Sequence, residues 1–231
     1  MFTLEKVVPW GRSFEEYGRM FALTDGDLSS RILGCGDGPA SFNAVATRRG
    51  AAVVSCDPIY RWSVEEIRAR IAVTYDTVLE ETRRNAGQFV WESVPSVEEL
   101  GRMRMAAMDD FLDDYPRGKA DGRYVDAELP ELPFDDASFD FALCSHLLFL
   151  YSEQLDANFH RVALRELCRV AAETRIFPLV ALGGRRSPYV DDSVLQLRDA
   201  GYEVTIEKVP YEFQRGADEM MRIRAAAPSP G

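Results

Sequence analysis

Arg31-Ile32-Leu33-Gly34-Cys35-Gly36-Asp37-Gly38-Pro39 is the stretch on which the reading of this chain turns. A short strand pattern, Arg31 to Leu33, runs into three glycines on alternate positions. A helical pattern follows from Pro39 to Arg49, with the proline in the first turn, where its missing N–H is tolerated. Glycines let the backbone turn sharply and let a ligand touch the main chain. The helix start offers free N–H groups. The dinucleotide fingerprint GxGxxG needs a third glycine at the place Pro39 holds, so a pyrophosphate cradle is disfavoured. The spacing GxGxG suits a ligand that lays a carboxylate or a sugar there. A strand–turn–helix corner also attracts glycine for structural reasons alone.

One unit further along lies Ser55-Cys56-Asp57-Pro58, at the end of a buried strand from Ala52 to Cys56. Asp57 follows Gly38 by 19 residues. An acid at the end of the second strand, about 20 residues past the glycines, is where open α/β sheets hydrogen-bond a ribose diol. A carboxylate suits that task because it accepts two O–H donors at once. The competing reading is a turn aspartate before proline. Taken together, the two signals point to a nucleoside-bearing ligand.

The same alternation continues outward in both directions. Ser13 with Glu16, Ser63 with Glu66 and Ser96 with Glu99 have capping-box spacing, and each opens a helical apolar pattern. The third carries Leu100, Met103, Ala107 and Phe111 on one face. Strands are expected at Arg123–Val125, Phe139–Cys144 and Thr174–Val180, and helices at Leu155–Val170 (Phe159, Val162 and Leu167 inward) and Asp191–Ala200. Tyr202–Val209 and Glu219–Ala225 are two strands joined around Gln214–Gly216, too close for a crossover helix, so they pair antiparallel. The expected fold is α/β: a Rossmann-like, mostly parallel sheet flanked by helices, with a C-terminal antiparallel strand pair. Residues 1–29 read as an N-terminal cover segment and helix over one domain, residues 30–231, and the tail from Ala225 reads as a frayed end.

Composition narrows the function. The 231 residues are 46% hydrophobic and 28% charged, ordinary for one large globular domain. A net charge of -11 disfavours nucleic acid as a partner, because a generic grip on phosphates needs a basic face. Eleven acidic and three basic residues crowd Asp109 to Asp140, which reads as a solvated face with loops. No apolar run reaches the roughly 20 residues of a membrane span, and the N-terminus lacks a signal-peptide pattern, so a cytoplasmic protein is expected. Cys35, Cys56, Cys144 and Cys168 show no CxxC pairing and read as buried thiols rather than a metal or redox site.

With Leu129-Pro130-Glu131-Leu132-Pro133-Phe134-Asp135-Asp136-Ala137-Ser138-Phe139-Asp140-Phe141, the chain resembles the class I S-adenosylmethionine-dependent methyltransferases. In that family a strand-end GxGxG precedes an acid after the second strand and then a segment of this kind before the fourth. Arg165-Glu166-Leu167-Cys168-Arg169-Val170 is similar to its helix before strand five. The resemblance implies that Gly34, Gly36 and Gly38 pack against the cofactor's methionine and ribose. It implies that Asp57 holds the ribose hydroxyls with Pro58 beside the adenine. Glu128 with Leu129 stand where the family contacts adenine, and Ser145 and His146 where donor and acceptor meet. His146 would act as a general base or shape the cofactor pocket. His160, mid-helix beside Arg161, reads as a surface residue. No metal is implied.

Two departures stand out. Ile32 occupies the place of the family's usual acid two residues before the first glycine, and Ala171-Ala172-Glu173 replaces its Pro-Gly-Gly. The Asn/Asp-Pro-Pro-Tyr/Phe segment of enzymes that methylate base amino groups is missing after strand four. Trp10 and Arg12 either contact an acceptor or belong to a packed cover helix. The expected activity is S-adenosylmethionine-dependent methyl transfer to a small-molecule or protein acceptor. The alternative is a catalytically inactive methyltransferase-like protein that binds the cofactor or serves as a scaffold. A nicotinamide oxidoreductase is a weaker third reading, against which Pro39 argues.

Overall fold

The strand that enters the glycines, β1 (Arg31–Cys35), is central to a seven-stranded sheet in a computed structural model that describes residues 8–226. Its neighbours are β2 (Ala52–Cys56) and β4 (Phe139–Ser145). The two-residue β3 (Tyr124–Val125) pairs with β2 at one edge, and β5 (Ala171–Phe177) follows β4. These five run parallel. β7 (Glu219–Ala225) inserts antiparallel between β5 and the edge strand β6 (Tyr202–Lys208). The order is β3-β2-β1-β4-β5-β7-β6, with Ala52 opposite Arg31 and Tyr202 opposite Ala225. Because β1 leads to β2 on one side and meets β4 on the other, the strand order reverses at β1. Open α/β sheets form their ligand crevice beyond the carboxyl ends of the strands at such a point.

Alternate residues of β1 feed two cores, as the two-residue period of a strand demands. Ile32 packs with Val53, Leu143 and Phe177 under α1 (Phe14–Met20) and α2 (Phe42–Arg48). Leu33 packs with Ala142, Leu167 and Ile176 under α5 (Ala157–Val170) and α6 (Val190–Asp199). Between β2 and β3 lie two long helices, α3 (Val64–Arg84) and α4 (Val97–Ala120). Cys35, Cys56 and Cys144 are buried free thiols and Cys168 is half-buried. No helix of the described residues is long and apolar enough to cross a membrane. The tail from Ala227 onward lies outside the described residues.

Several local expectations need correction. α2 begins at Phe42 with Ser41 before it, so Pro39 precedes the helix. The residues between are spent on the turn: Gly36 N–H donates to Cys56 O, Gly38 O accepts from the Tyr60 hydroxyl, and Ser41 N–H donates to Arg12 O. The boxes at Ser13–Glu16 and Ser63–Glu66 are complete. Ser96 caps α4 through Glu99 N–H alone, because the Glu99 carboxylate turns to Arg102. On α4 Leu100, Ala107 and Phe111 are buried as expected, Arg104 and Met108 are buried beside them, and Met103 is only half-buried. β5 starts three residues earlier than expected, with Ala171 opposite Phe139, and ends before Pro178, which has no N–H for a ladder. His160 is 1% exposed, not on the surface. Its ring nitrogens lie 2.8 Å from Asp156 O and 3.0 Å from Leu148 O, and it stacks on Phe149.

Candidate active site at the sheet's switch point

A cavity of about 980 Å³ opens beyond the carboxyl ends of β1, β2 and β4. That is the upper end of the roughly 300–1,000 Å³ of small-molecule sites. Gly36, Gly38, Asp57, Pro58, Glu128 and Leu129 line it, as do Ser145 and His146 at the end of β4. Apolar side chains of α3 (Ala69, Val73, Val78) form one wall, with Val73 exposed at the mouth.

At one end the carboxylate of Asp57 is fixed by backbone. Oδ2 accepts the Gly38 N–H at 2.9 Å and Oδ1 accepts the Ile59 N–H at 2.8 Å. Each oxygen keeps a lone pair for a further donor. Burial pushes this carboxyl up to about 6 against those two bonds, helped by the charges of Glu128 and Asp126. Glu128 is exposed at the rim, whereas Leu129 is buried in the core beneath. Gly36 and Gly38 adopt φ of +70° and +54°, where side chains are strained. A Cβ on Gly36 would also stand 2.6 Å from Leu147.

Gly34 does not line the cavity. A Cβ there would lie 1.8 Å from Asp37 Oδ2, so this glycine makes room for a buried carboxylate. Asp37 is the residue that the sequence reading missed; its signal was an acid set between two glycines of an apolar turn. Its Oδ1 accepts from the Tyr17 hydroxyl at 2.7 Å and its Oδ2 from Ser55 at 2.6 Å. Burial pushes it up to about 7 against these two bonds, and the charge of Asp57 adds to the rise. A buried carboxylate therefore stands beside the glycine turn, although β1 itself carries Ile32 where an acid was sought.

From Asp37 a chain of hydroxyls runs to the end of β4. The Tyr17 oxygen faces Ser145, whose Oγ lies 2.9 Å from His146 Nδ1. In the tautomer that carries its proton on Nδ1, His146 donates to Ser145 Oγ. That leaves Nε2 of His146 with a bare lone pair. His146 has φ +52°, a left-handed conformation in which histidine is enriched, and its N–H donates to Phe177 O at 2.7 Å. Burial, then Arg12 and Arg104, push its ring well below 6.5, so it stays neutral throughout the neutral range. It is a weaker base than an ordinary histidine.

The opposite end is built from side chains. Arg104 of α4 grips Glu16 of α1 in a fully buried bidentate pair, Nη2 to Oε1 at 2.7 Å and Nη1 to Oε2. Glu16 Oε1 also accepts from Tyr211 at 2.8 Å, and Oε2 from the Ser13 N–H at 2.9 Å. Burial would raise this carboxyl, but Arg104 prevails and holds it at about 2. Arg12, Arg104 and Tyr211 all line the cavity.

Residues 102–174 match a family model described as a methyltransferase domain. That match covers β3, β4 and α5, while the glycine turn, Asp57 and the β7 insertion lie outside it and agree with the same sheet. The chain belongs to the class I S-adenosylmethionine-dependent methyltransferase family. A protein of Methanocaldococcus jannaschii, "Uncharacterized protein MJ0045", is 33% identical over 223 residues, spanning 96% of this chain and 98% of that one. Among solved structures, the magnesium protoporphyrin IX methyltransferase of Synechocystis PCC 6803 with bound SAM is similar at TM-score 0.48 and 13% identity, over 91% of this chain and 76% of that one. The 1,6-didemethyltoxoflavin-N1-methyltransferase of Burkholderia thailandensis is similar at TM-score 0.49 and 14% identity, over 93% and 78%. S-adenosylmethionine is the cofactor of this family.

Proposed function

We propose that the protein transfers a methyl group from S-adenosylmethionine to a small-molecule acceptor inside the switch-point cavity. The observation that carries this reading is Asp57. Its carboxylate is held by the Gly38 and Ile59 N–H groups, with lone pairs left at the mouth of the cavity. The residues fit the cofactor. Asp57 would accept the ribose hydroxyls, Pro58, Glu128 and Leu129 would flank the adenine, and the backbone of Gly36 and Gly38 allows close approach without a Cβ. When bound, the cofactor supplies an electrophilic methyl group on a sulfonium.

The chain's own residues then orient and deprotonate. The apolar walls exclude water and hold the two reactants at one site, which lowers the entropic cost of alignment. His146 presents the unprotonated Nε2 to the acceptor, while Nδ1 is occupied by Ser145. A proton taken there creates an imidazolium beside Ser145. The concave site and the acidic surface support a small acceptor over a nucleic acid.

The test is calorimetric titration of S-adenosylhomocysteine and NADH into the full chain. Micromolar binding of S-adenosylhomocysteine, about -8 kcal/mol, is expected. A flat titration with folded protein, or tighter binding of NADH, would overturn the reading.

A further inference from the structure

Arg12 lines the cavity, and among the described residues it has no carboxylate of its own. Its Nη1 donates to Trp10 O at 2.7 Å. Its Nε is buried and has no hydrogen-bond partner among the described residues. Among those residues it also forms no salt bridge, because the nearby carboxylate of Glu16 is committed to Arg104 in the bidentate pair. Among the described residues two guanidinium groups thus face one carboxylate, and the half-buried Arg12 is left without an ion pair on the wall of a largely apolar cavity. Buried polar groups are normally satisfied, and a buried cation without a partner is costly. With Nη1 turned to the Trp10 carbonyl, the free side of the fork presents parallel N–H groups, which match the two oxygens of a carboxylate.

We propose that Arg12 binds a carboxylate of the acceptor, so that the substrate is an apolar molecule carrying an anionic carboxyl group. This rests on the methyltransferase reading above and names its substrate class. The nucleoside end is already defined by Asp57 on the far side of the glycine turn. Leu150, Tyr151, Leu182 and Phe213 supply the apolar wall for the acceptor's body. Arg12 and His146 line the same cavity, and the charge of Arg12 bears on the ring of His146. The charge of Arg104 behind it pushes Arg12 towards a partner of opposite sign: burial, then Arg104, lower its own hold on the proton. The competing claimant is the α-carboxylate of the cofactor itself, and the experiment separates the two.

The full chain, saturated with S-adenosylhomocysteine, is titrated with octanoate, 1-octanol and octylamine as probes of one apolar body with three heads. Octanoate is expected to bind about tenfold or more tighter than octanol, and octylamine weakest. Arg12→Gln brings octanoate down to the level of octanol, Arg12→Lys retains part of the preference, and neither alters octanol. In parallel, S-adenosylhomocysteine and methylthioadenosine, which lacks the amino-acid end, are titrated into wild type and Arg12→Gln. Their ratio is expected to stay constant. Equal binding of octanoate and octanol by the wild type would overturn the proposal. So would a loss of about tenfold in S-adenosylhomocysteine affinity on Arg12→Gln with methylthioadenosine unchanged, which assigns the guanidinium to the cofactor. If Arg12→Gln does not fold, the three-headed series on the wild type still decides. If S-adenosylhomocysteine itself fails to bind, the methyltransferase reading falls, while the head-group preference of the chain alone still judges Arg12.

Discussion

The two ends of the cavity are built in opposite ways. At the glycine turn a single carboxylate, Asp57, is held by two backbone N–H groups, one from the turn itself and one two residues ahead. Around Arg104 the residues Glu16, Arg104 and Tyr211 are tied side chain to side chain, from residues 88 and 195 positions apart in the chain. A backbone-built corner depends on local conformation and tolerates exposure to ligand. A side-chain-built corner depends on three distant elements docking together, so its charges are part of the fold as well as of the site.

That difference is broken most directly at Glu16. Glu16→Ala leaves Arg104 buried, 1% exposed, without its partner. Loss of one member of a buried pair costs about 3–5 kcal/mol. Denaturant unfolding should show that loss. Because Arg104 holds the carboxyl at about 2, below its unfolded value, the pair's stability is present above pH 4.5 and is lost as pH falls through about 2. A destabilisation under about 1 kcal/mol would mean that α1 is a loose cover rather than part of the core.

Asp57→Ala should separate the ends from the other side. Two hydroxyl bonds to a charged acceptor are worth roughly 1.5–3 kcal/mol each. S-adenosylhomocysteine affinity should fall about 100-fold or more while the variant remains folded. A 2′-deoxyribose analogue, lacking one partner, should be discriminated against by the wild type and much less by the variant. Unchanged affinity in a folded variant would reduce Asp57 to a turn residue.

This contrast also explains what could be read from the sequence. The mostly parallel sheet and its antiparallel end followed from apolar periodicity and from a connection too short for a crossover, whereas the insertion of β7 between β5 and β6 did not. That Gly36, Gly38 and Asp57 come together at one corner followed from glycines and an acid at fixed spacing, because backbone geometry is written locally. The corner around Glu16 and Arg104 was not legible. Glu16 has capping-box spacing, and its bond to the Ser13 N–H hides the longer-range task of holding Arg104. Arg104 interrupts an apolar stripe between Leu100 and Met108, a signal that the stripe's other members mask. His160 was misjudged because a neighbouring arginine suggested a wet face, whereas the helix turns it onto Phe149 and the Leu148 carbonyl.

His146 lies where the two constructions meet. His146→Ala should leave S-adenosylhomocysteine binding within about tenfold and lower turnover about 100-fold, the low end for a general base because its ring is a weakened one. Burial and the two arginines keep it neutral, so no acid limb near pH 6.5 should appear in the rate profile from this residue. Unchanged turnover on a true acceptor would leave alignment alone as the source of catalysis.

The smallest effect, and the one that tests the link between the ends, belongs to Asp37. Tyr17 of α1 and Ser55 of β2 both donate to it, so it joins the side-chain corner to the strand that carries Asp57. Burial raises its folded value to about 7, from about 4 in the unfolded chain. The folded state therefore binds the proton more tightly, and stability falls as pH rises through 7. Between pH 6 and pH 8 the loss comes to about 1.4 kcal/mol, a shift of a few degrees in Tm for a domain of this size. Asp57 acts in the same sense through about 6 and His146 in the opposite sense, so the wild-type curve alone does not isolate Asp37. The difference between wild type and Asp37→Asn does, since asparagine keeps the shape and an oxygen acceptor but cannot ionise. That difference should move in the variant's favour by about 1.4 kcal/mol from pH 6 to pH 8 and then level off. A flat difference would show that Asp37 is ionised well below pH 6, so that water reaches the carboxylate behind Gly34 and the two ends are not joined by a dry polar chain.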